Sequence, residues 1–280
     1  DMAGLLVPYE ATRLVTALKE VSEAKFIAVG DDWQSIYRFN GSDVNLFIDF
    51  EKYFPNSETI KLEENRRNTQ KLIDISSDFI FKNKNQELKT LISFKDEMTP
   101  NLDPIKIVTY KNFISSNIKE NKILKLDAII TYIVKNNTKN NLKILILGRN
   151  NKDIDYLTNN ALFKEKRQKN YRKILYSKQK NLDITFMTIH QAKGLEYDEV
   201  IIINFEGNPN YGFPNELEDD RLLNFVKTYE SYPHAEERRL LYVALTRTLN
   251  NVYLLAPERN ASTFIHELRN DFGVKNLNLD

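Results

Sequence analysis

Three nearly continuous apolar runs, Leu142–Leu147, Ile184–Ile189 and Glu199–Ile203, limit the fold of this chain more than any other feature. A strand with one wet face alternates polar and apolar residues, whereas a run apolar on both faces must be covered on both. Helix-spaced segments lie between the runs. One spans 117–135, with Ile118, Ile123, Leu126, Ile130 and Ile133 mostly on one side, and others are expected near 152–163, 234–248 and 262–270. Further strands are predicted at Ile105–Tyr110 and 251–255. Strands alternating with helices imply an α/β fold, a parallel sheet between helical layers.

The first third follows the same grammar. Leu5, Leu6, Tyr9, Leu14, Ala17, Leu18 and Val21 recur at helical spacing, predicting a helix over 8–21 that feeds a strand at 25–29 and a turn at Gly30. An amphipathic piece covers 43–53 and Pro55 marks a boundary. Thr59–Leu62 reads as a short strand, Leu72, Ile75, Phe79 and Ile80 as a helix face, and 84–104 as loop. The Lys- and Arg-dense segment 164–180, with Tyr171 and Tyr176 interspersed, reads as a solvated connection between strands, with a nucleic-acid strip as the alternative.

Composition removes several kinds of chemistry. The 280 residues contain no cysteine and three scattered histidines, which excludes disulfides, thiolate catalysis and a convincing Cys/His metal site. Net charge is +1, so a nucleic-acid site would have to be local. No apolar run approaches the roughly 20 residues of a membrane span. A cytoplasmic protein is expected.

Four segments can carry chemistry. Gly30-Asp31-Asp32-Trp33-Gln34-Ser35-Ile36-Tyr37-Arg38-Phe39 takes a strand end into a polar turn and an aromatic, basic helix start. A parallel sheet offers ligands its carboxyl edge. Gln34 there can donate to a phosphate and accept from water, while Tyr37, Arg38 and Phe39 offer rings and a cation to a nucleic-acid strand. Trp33 and Tyr37, four apart, equally fit core packing. Phe186-Met187-Thr188-Ile189-His190-Gln191-Ala192-Lys193-Gly194-Leu195-Glu196-Tyr197 runs from a strand into a turn that presents Thr188, His190, Lys193 and Glu196, with Gly194 permitting close approach. Arg67, after Asn65-Arg66, sits at an expected sheet edge. Arg247 falls on the apolar side of the helix that begins with Glu236-Glu237-Arg238-Arg239, either as an anion ligand or as a cap on the last carbonyls. The chain has no Gly-Lys pair, so it does not build the loop that ordinarily holds the β and γ phosphates.

In this order, Gly-Asp-Asp-Trp-Gln-Ser-Ile-Tyr-Arg-Phe, Asn-Arg-Arg, Met-Thr-Ile-His-Gln-Ala-Lys-Gly-Leu-Glu and Glu-Glu-Arg-Arg-Leu-Leu-Tyr-Val-Ala-Leu-Thr-Arg resemble motifs III, IV, V and VI of the UvrD/Rep helicases of superfamily 1. The resemblance covers nearly the whole chain. It implies two RecA-like lobes with ATP and Mg2+ between them and single-stranded DNA crossing both. Residues 1–55 would be the tail of the first lobe and 56–280 the second. Asp1 resembles the last Asp of the family's Asp-Glu-x-x-Asp motif, so the chain reads as cut from a longer one just after the metal-binding carboxylates, with no metal ligands of its own.

By motif matching, Gln34 would sense the γ-phosphate, and Arg67 and Arg247 would be its arginines. Glu196 and Gly194 would lie at the nucleotide, and Tyr37, Arg38, Phe39, Thr188, His190 and Lys193 at the DNA. Arg66 stands where many relatives carry a Tyr stacked on adenine. The interval between motifs IV and V leaves room for the lobe and little more, so the accessory domain that UvrD and Rep insert there is expected to be absent or vestigial.

The implied parent is an ATP-dependent 3′–5′ helicase acting on single-stranded DNA and duplex junctions. Residues 1–280 alone are expected to bind no ATP tightly, to need the N-terminal half, and to expose a surface open to self-association. A non-catalytic DNA-binding or protein-docking module is the alternative. A helicase–nuclease parent finds no acidic cluster of the nuclease kind in this chain.

Overall fold

A computed structural model describes residues 17, 27–37, 44–95, 103–113, 117–169, 171–208, 212–215, 230 and 232–279. The apolar runs become neighbouring strands. Among the described residues, β3 (Ile105–Tyr110), β4 (Lys143–Gly148), β5 (Phe163–Arg167), β6 (Arg172–Tyr176), β7 (Asp183–Thr188), β8 (Tyr197–Ile202), β9 (Thr248–Pro257) and β10 (Lys275–Asn276) form one sheet in the order β10-β3-β9-β8-β4-β7-β6-β5. Every pairing from β10 to β7 is parallel; β7 to β6 and β6 to β5 are antiparallel.

Helices cover both faces, and the cores follow the pleat. On one face, Leu145, Leu147, Met187, Val200 and Ile202 pack with α1 (Gln70–Phe81), α3 (Ala235–Leu245) and α4 (Thr263–Asn270). The opposite face sends Ile144, Ile146, Ile184, Phe186 and Ile201 against α2 (Ile118–Lys135). Helix α2 starts where the side chain of Asn117 accepts from the Glu120 N–H, and it buries Leu126, Ile129, Ile130 and Ile133, one stripe at helical spacing. Ser262 caps α4 by accepting from the Ile265 N–H. This is the expected α/β, parallel-sheet architecture.

Several local expectations are corrected. In the 30–39 motif a 3-10 turn at Asp32–Gln34 is followed by irregular backbone to Tyr37, and the helix start expected beyond it lies outside the described residues. Residues 27–29 are irregular and exposed rather than a strand, as expected of an apolar segment with no strand partner among the described residues. The predicted helix at 8–21 lies outside the described residues except for Ala17, which is helical. The piece at 43–53 divides into two helical turns, Asn45–Ile48 and Phe50–Tyr53. Ile60 and Leu62 are exposed and unpaired in register, and pairing begins one step later, in β1 (Glu64–Asn65) with β2 (Ile92–Ser93), a two-stranded parallel ribbon. Arg67 therefore follows that ribbon and not the main sheet.

The helix expected over 152–163 is a single 3-10 turn, Asp153–Tyr156. Asn159 takes φ 60°, and the Asn160 side chain accepts from the N–H groups of Leu162 and Phe163, both at 2.9 Å, closing the chain into a turn instead. The basic segment is no loose connection: it is the β5–β6 hairpin, held to the sheet because Phe163, Ile174 and Tyr176 are buried against the α2 face.

Candidate functional site

Helix α3 is buried on nearly every side, an unusual place for Glu237, Arg238 and Arg239. Each of the three is paired and ties the helix to a different neighbour. Glu237 accepts from Arg149, just beyond β4, at 2.7 Å. Arg238 forks onto Glu267 of α4 at 2.6 and 2.9 Å, donates to the Phe79 carbonyl at 2.9 Å, and lies 4.4 Å from the Phe79 ring centroid. Arg239 forks onto Glu230 at 2.7 and 2.8 Å and donates to the Ser35 carbonyl at 2.6 Å. Buried guanidiniums are tolerated when a carboxylate matches their fork.

Arg247 breaks that pattern. The helix ends at Leu245, so Arg247 lies past its last turn and not on its apolar face. Its Nε donates to the Val243 carbonyl at 2.9 Å and its terminal nitrogens reach Thr246 Oγ1 (3.1 Å) and the Leu195 carbonyl (3.5 Å). The carbonyl-capping reading is thus realised, with neutral oxygens only. Arg247 is 2% exposed. Burial and then the like charge of Arg67 push its guanidinium down to about 10. Arg67 is set by an Asx turn in which Asn65 Oδ1 accepts from the N–H groups of Arg67 and Asn68, both at 2.9 Å, and its Nε donates to Glu196 at 3.1 Å. Two guanidiniums sharing one half-exposed carboxylate leave a local excess of positive charge, a setting that favours a polyanion.

The 31–37 segment docks on α3 beside this pair. Asp31 accepts from the Trp33 N–H at 3.1 Å and from Gln34 Nε2 at 2.5 Å, and it pairs with Lys89 at 2.5 Å. Trp33 is buried, donates Nε1 to the Glu87 carbonyl at 2.9 Å and meets Tyr242 edge-on at 5.3 Å. Of the two aromatics, Trp33 is core. Tyr37 is half-buried: its hydroxyl donates to the His190 carbonyl at 2.9 Å, and the rings lie 6.1 Å apart. Lys193 sits 5.3 Å from the Tyr37 ring centroid.

After β7 the chain turns on itself. Thr188 is buried: its hydroxyl donates to Gln191 Oε1 (3.2 Å) and accepts from the Gln191 N–H (3.4 Å), shaping the turn. His190 is held neutral near pH 7, its imidazole pushed down to about 4 by burial first and the Arg149 charge second. Burial also lowers Lys193, with Asp31 opposing and Arg247 assisting. Gly194 takes φ +85° with open space about it. Thr188 and His190 lie at and just beyond the carboxyl end of β7, whereas Glu196 and Arg247 immediately precede β8 and β9, at the amino ends of those strands.

The fold therefore brings Arg67, Glu196 and Arg247 together at the amino ends of β8 and β9. Gln34 and Gly194 lie on the segments that join this group to a second one, Tyr37, His190 and Lys193, beyond the carboxyl end of β7. Thr188 is there too, in a structural role. Arg66 is turned to its neighbour Glu64 at 3.0 Å and is largely exposed. Arg38 and Phe39 lie outside the described residues. Sequence reasoning passed over Asn65 and Asn68, although an Asn two residues before a functional arginine is an Asx-turn signal. It also passed over Arg239 and Lys89, whose roles depend on partners far away in the chain.

Residues 9–55 match the UvrD/REP helicase N-terminal domain and residues 169–258 the UvrD-like helicase C-terminal domain. DNA helicase IV of Escherichia coli is 33% identical over 267 residues, covering 94% of this chain and 34% of that protein. The ATP-dependent DNA helicase PcrA of Bacillus subtilis is 41% identical over 69 residues, 25% of this chain and 9% of that one. DNA helicase II of Rickettsia typhi is 46% identical over 63 residues, 22% and 10% respectively. The chain thus spans about a third of the first relative and less of the others.

Proposed function

Because the chain carries a UvrD-like helicase C-terminal domain with part of the UvrD/Rep N-terminal domain ahead of it, we propose that it is the second-lobe part of an ATP-dependent 3′–5′ DNA helicase. Residues 1–55 would complete the first lobe. One observation carries the reading: Arg247, buried and without a carboxylate of its own among the described residues, stands beside Arg67 at the amino ends of β8 and β9, near the docked 31–37 segment. The γ-phosphate of ATP supplies the missing counter-charge. In phosphoryl transfer, arginines placed on the transferred group stabilise its developing charge by factors of about 10³–10⁵.

Arg67 reaches that phosphate when its Nε leaves Glu196, whose carboxylate then accepts from a nucleotide hydroxyl. Gln34, on Asp31, is the amide placed to respond. Mg2+ and the remaining phosphate contacts come from a lobe bearing the Gly-Lys loop, which these 280 residues lack. Residues 1–280 alone are accordingly inactive in ATP hydrolysis. The DNA strand passes over Tyr37, His190 and Lys193, where a ring, a neutral donor and a cation meet. Nothing here needs a membrane, and no helix among the described residues is long and apolar enough to cross one.

The test joins residues 1–280 to a phosphate-loop lobe and measures DNA-stimulated ATP hydrolysis. Arg247→Ala is expected to lower kcat at least about 10³-fold. A joined protein that hydrolyses ATP equally well with Ala at 247 overturns the motor reading. One that never hydrolyses ATP yet holds DNA points to the non-catalytic module instead. Unwinding of substrates with 3′ and 5′ tails then reports polarity.

A further inference from the structure

Residues 163–180 hold eight Lys and Arg against one Glu, while the whole chain is only +1. The β5–β6 hairpin arranges that charge on two unlike faces. On the α2 side, Glu165 accepts from both Arg167 (3.1 Å) and Arg172 (3.0 Å), and Asp155 also accepts from Arg172 (2.5 Å), so those cations are neutralised. On the other side, register places Lys166 opposite Lys173 and Lys164 opposite Leu175. Lys173 is bound to Asp183. Lys164, Lys166 and Lys169 are exposed and carry no ion pair among the described residues, beside the partly exposed Tyr171 and Leu175.

Two features relate this face to the site. Lys173 pairs in register with Thr185 of β7, and residues opposite each other share a face. Thr185 precedes Met187 on the same side, so the lysine face looks the way α3 does. In addition, Arg172 pairs with Phe186, two residues before Thr188, so the end of the hairpin where the Gln168 N–H meets the Tyr171 carbonyl comes out at the edge that carries Thr188 and His190. The hairpin strands lie one and two strand spacings from β7, about 5 and 10 Å.

We propose that the β5–β6 hairpin is a second single-stranded DNA contact, outside the motif residues. Lys164, Lys166 and Lys169 bind phosphates of nucleotides leaving the Tyr37–His190–Lys193 site, and Tyr171 offers a ring to a base. Three unneutralised ammonium groups along a strand at the rim of a DNA-binding edge match a linear polyanion, and an exposed ring among them matches bases. This rests on the DNA reading above.

The test measures binding of two fluorescent oligothymidylates to the full 1–280 chain across a salt series: one long enough to cross both surfaces, one long enough only for the motif site. Lys164→Gln/Lys166→Gln/Lys169→Gln is compared with wild type, with thermal melting to verify folding. For the long strand, the variant is expected to lose at least tenfold in affinity at low salt, and the log–log salt slope to fall by about 2, close to 0.7 per phosphate contact. The short strand is expected to bind both proteins equally.

Equal binding of the long strand by both proteins overturns the hairpin contact while leaving the motif site standing. A wild type that binds neither strand overturns the DNA reading and the hairpin contact with it. Equal loss for both lengths shows a general field effect and also refutes a separate contact, as does competition by polyglutamate as effective as by DNA. Tyr171→Ala adds a readout that charge alone does not move: a loss of about 1 kcal/mol or more at high salt, roughly fivefold in Kd.

Discussion

Helix α3 and the residues just beyond it bury arginine in two opposite ways. Arg238 and Arg239 each meet a carboxylate through both arms of the guanidinium, and each carries a further bond to a backbone carbonyl of a distant segment. Arg247, two turns on, meets only carbonyl and hydroxyl oxygens and faces a second arginine. The first arrangement is satisfied internally and holds elements together. In the second, a charge has been desolvated without a counter-charge, which is tolerable only where a ligand is to provide it. Burial alone therefore does not tell a structural arginine from a functional one; the partner does.

The contrast is most strongly tested by breaking a satisfied pair. Arg238→Ala leaves Glu267 to Lys82 alone, at 3.2 Å, and removes the donor to the Phe79 carbonyl. It is expected to cost about 2–4 kcal/mol in denaturant unfolding, while the double change Arg238→Met/Glu267→Leu recovers most of the loss. If the single change costs under about 1 kcal/mol, Arg238 is not the tie described.

A smaller effect is expected at Glu199, a buried acid at the amino end of β8. Amides of Asn251 and Asn137 reach one oxygen, at 3.3 and 3.5 Å, and the other has no hydrogen-bond partner among the described residues. Burial pushes its carboxyl up to about 7. The folded state then holds a proton that the unfolded chain releases near 4.5, so stability falls as pH rises between those values and is flat above. Glu199→Gln is expected to remove that slope and to stabilise the protein by on the order of 2 kcal/mol above pH 7, measured as unfolding free energy against pH. An unchanged slope would assign the titration elsewhere.

Arg247→Met is expected to shift stability by less than about 1 kcal/mol, since no carboxylate is stranded. Its signature is different: pyrophosphate raises the melting temperature of the wild type by a few degrees and leaves the variant unmoved. Of similar small size is Tyr37→Phe, which removes one hydrogen bond to the His190 carbonyl and should cost about 0.5–1 kcal/mol. A clearly larger loss would mean that Tyr37 anchors the segment as firmly as Trp33.

The main sheet was legible because its signals are local. Ile105–Tyr110 and the run through Leu142–Leu147 became β3 and β4 with at most a one-residue shift, and the stripe in 117–135 became α2. Where reading failed, a side chain bonded to nearby backbone had redirected the chain. Asn160 closed a turn inside a predicted helix, and Asn65 set Arg67. The hairpin was hidden because its three anchoring residues, Phe163, Ile174 and Tyr176, are spread among eight cations that dominate the composition. At the site, motif order indicated which residues gather, but not that Thr188 is spent on its own turn or that Glu196 already holds Arg67.

The edge contact between Trp33 and Tyr242 has a consequence for how the chain is made. Those residues are 209 positions apart, and the Ser35 carbonyl waits for Arg239 over a similar distance. During synthesis the N-terminal segment leaves the ribosome long before the helix that receives it, so the central sheet is free to assemble while an indole and an unmatched carbonyl remain in water. Docking of residues 31–37 is then a closing event of folding. Since Trp33 is the chain's single tryptophan, its fluorescence should time that event with no added label.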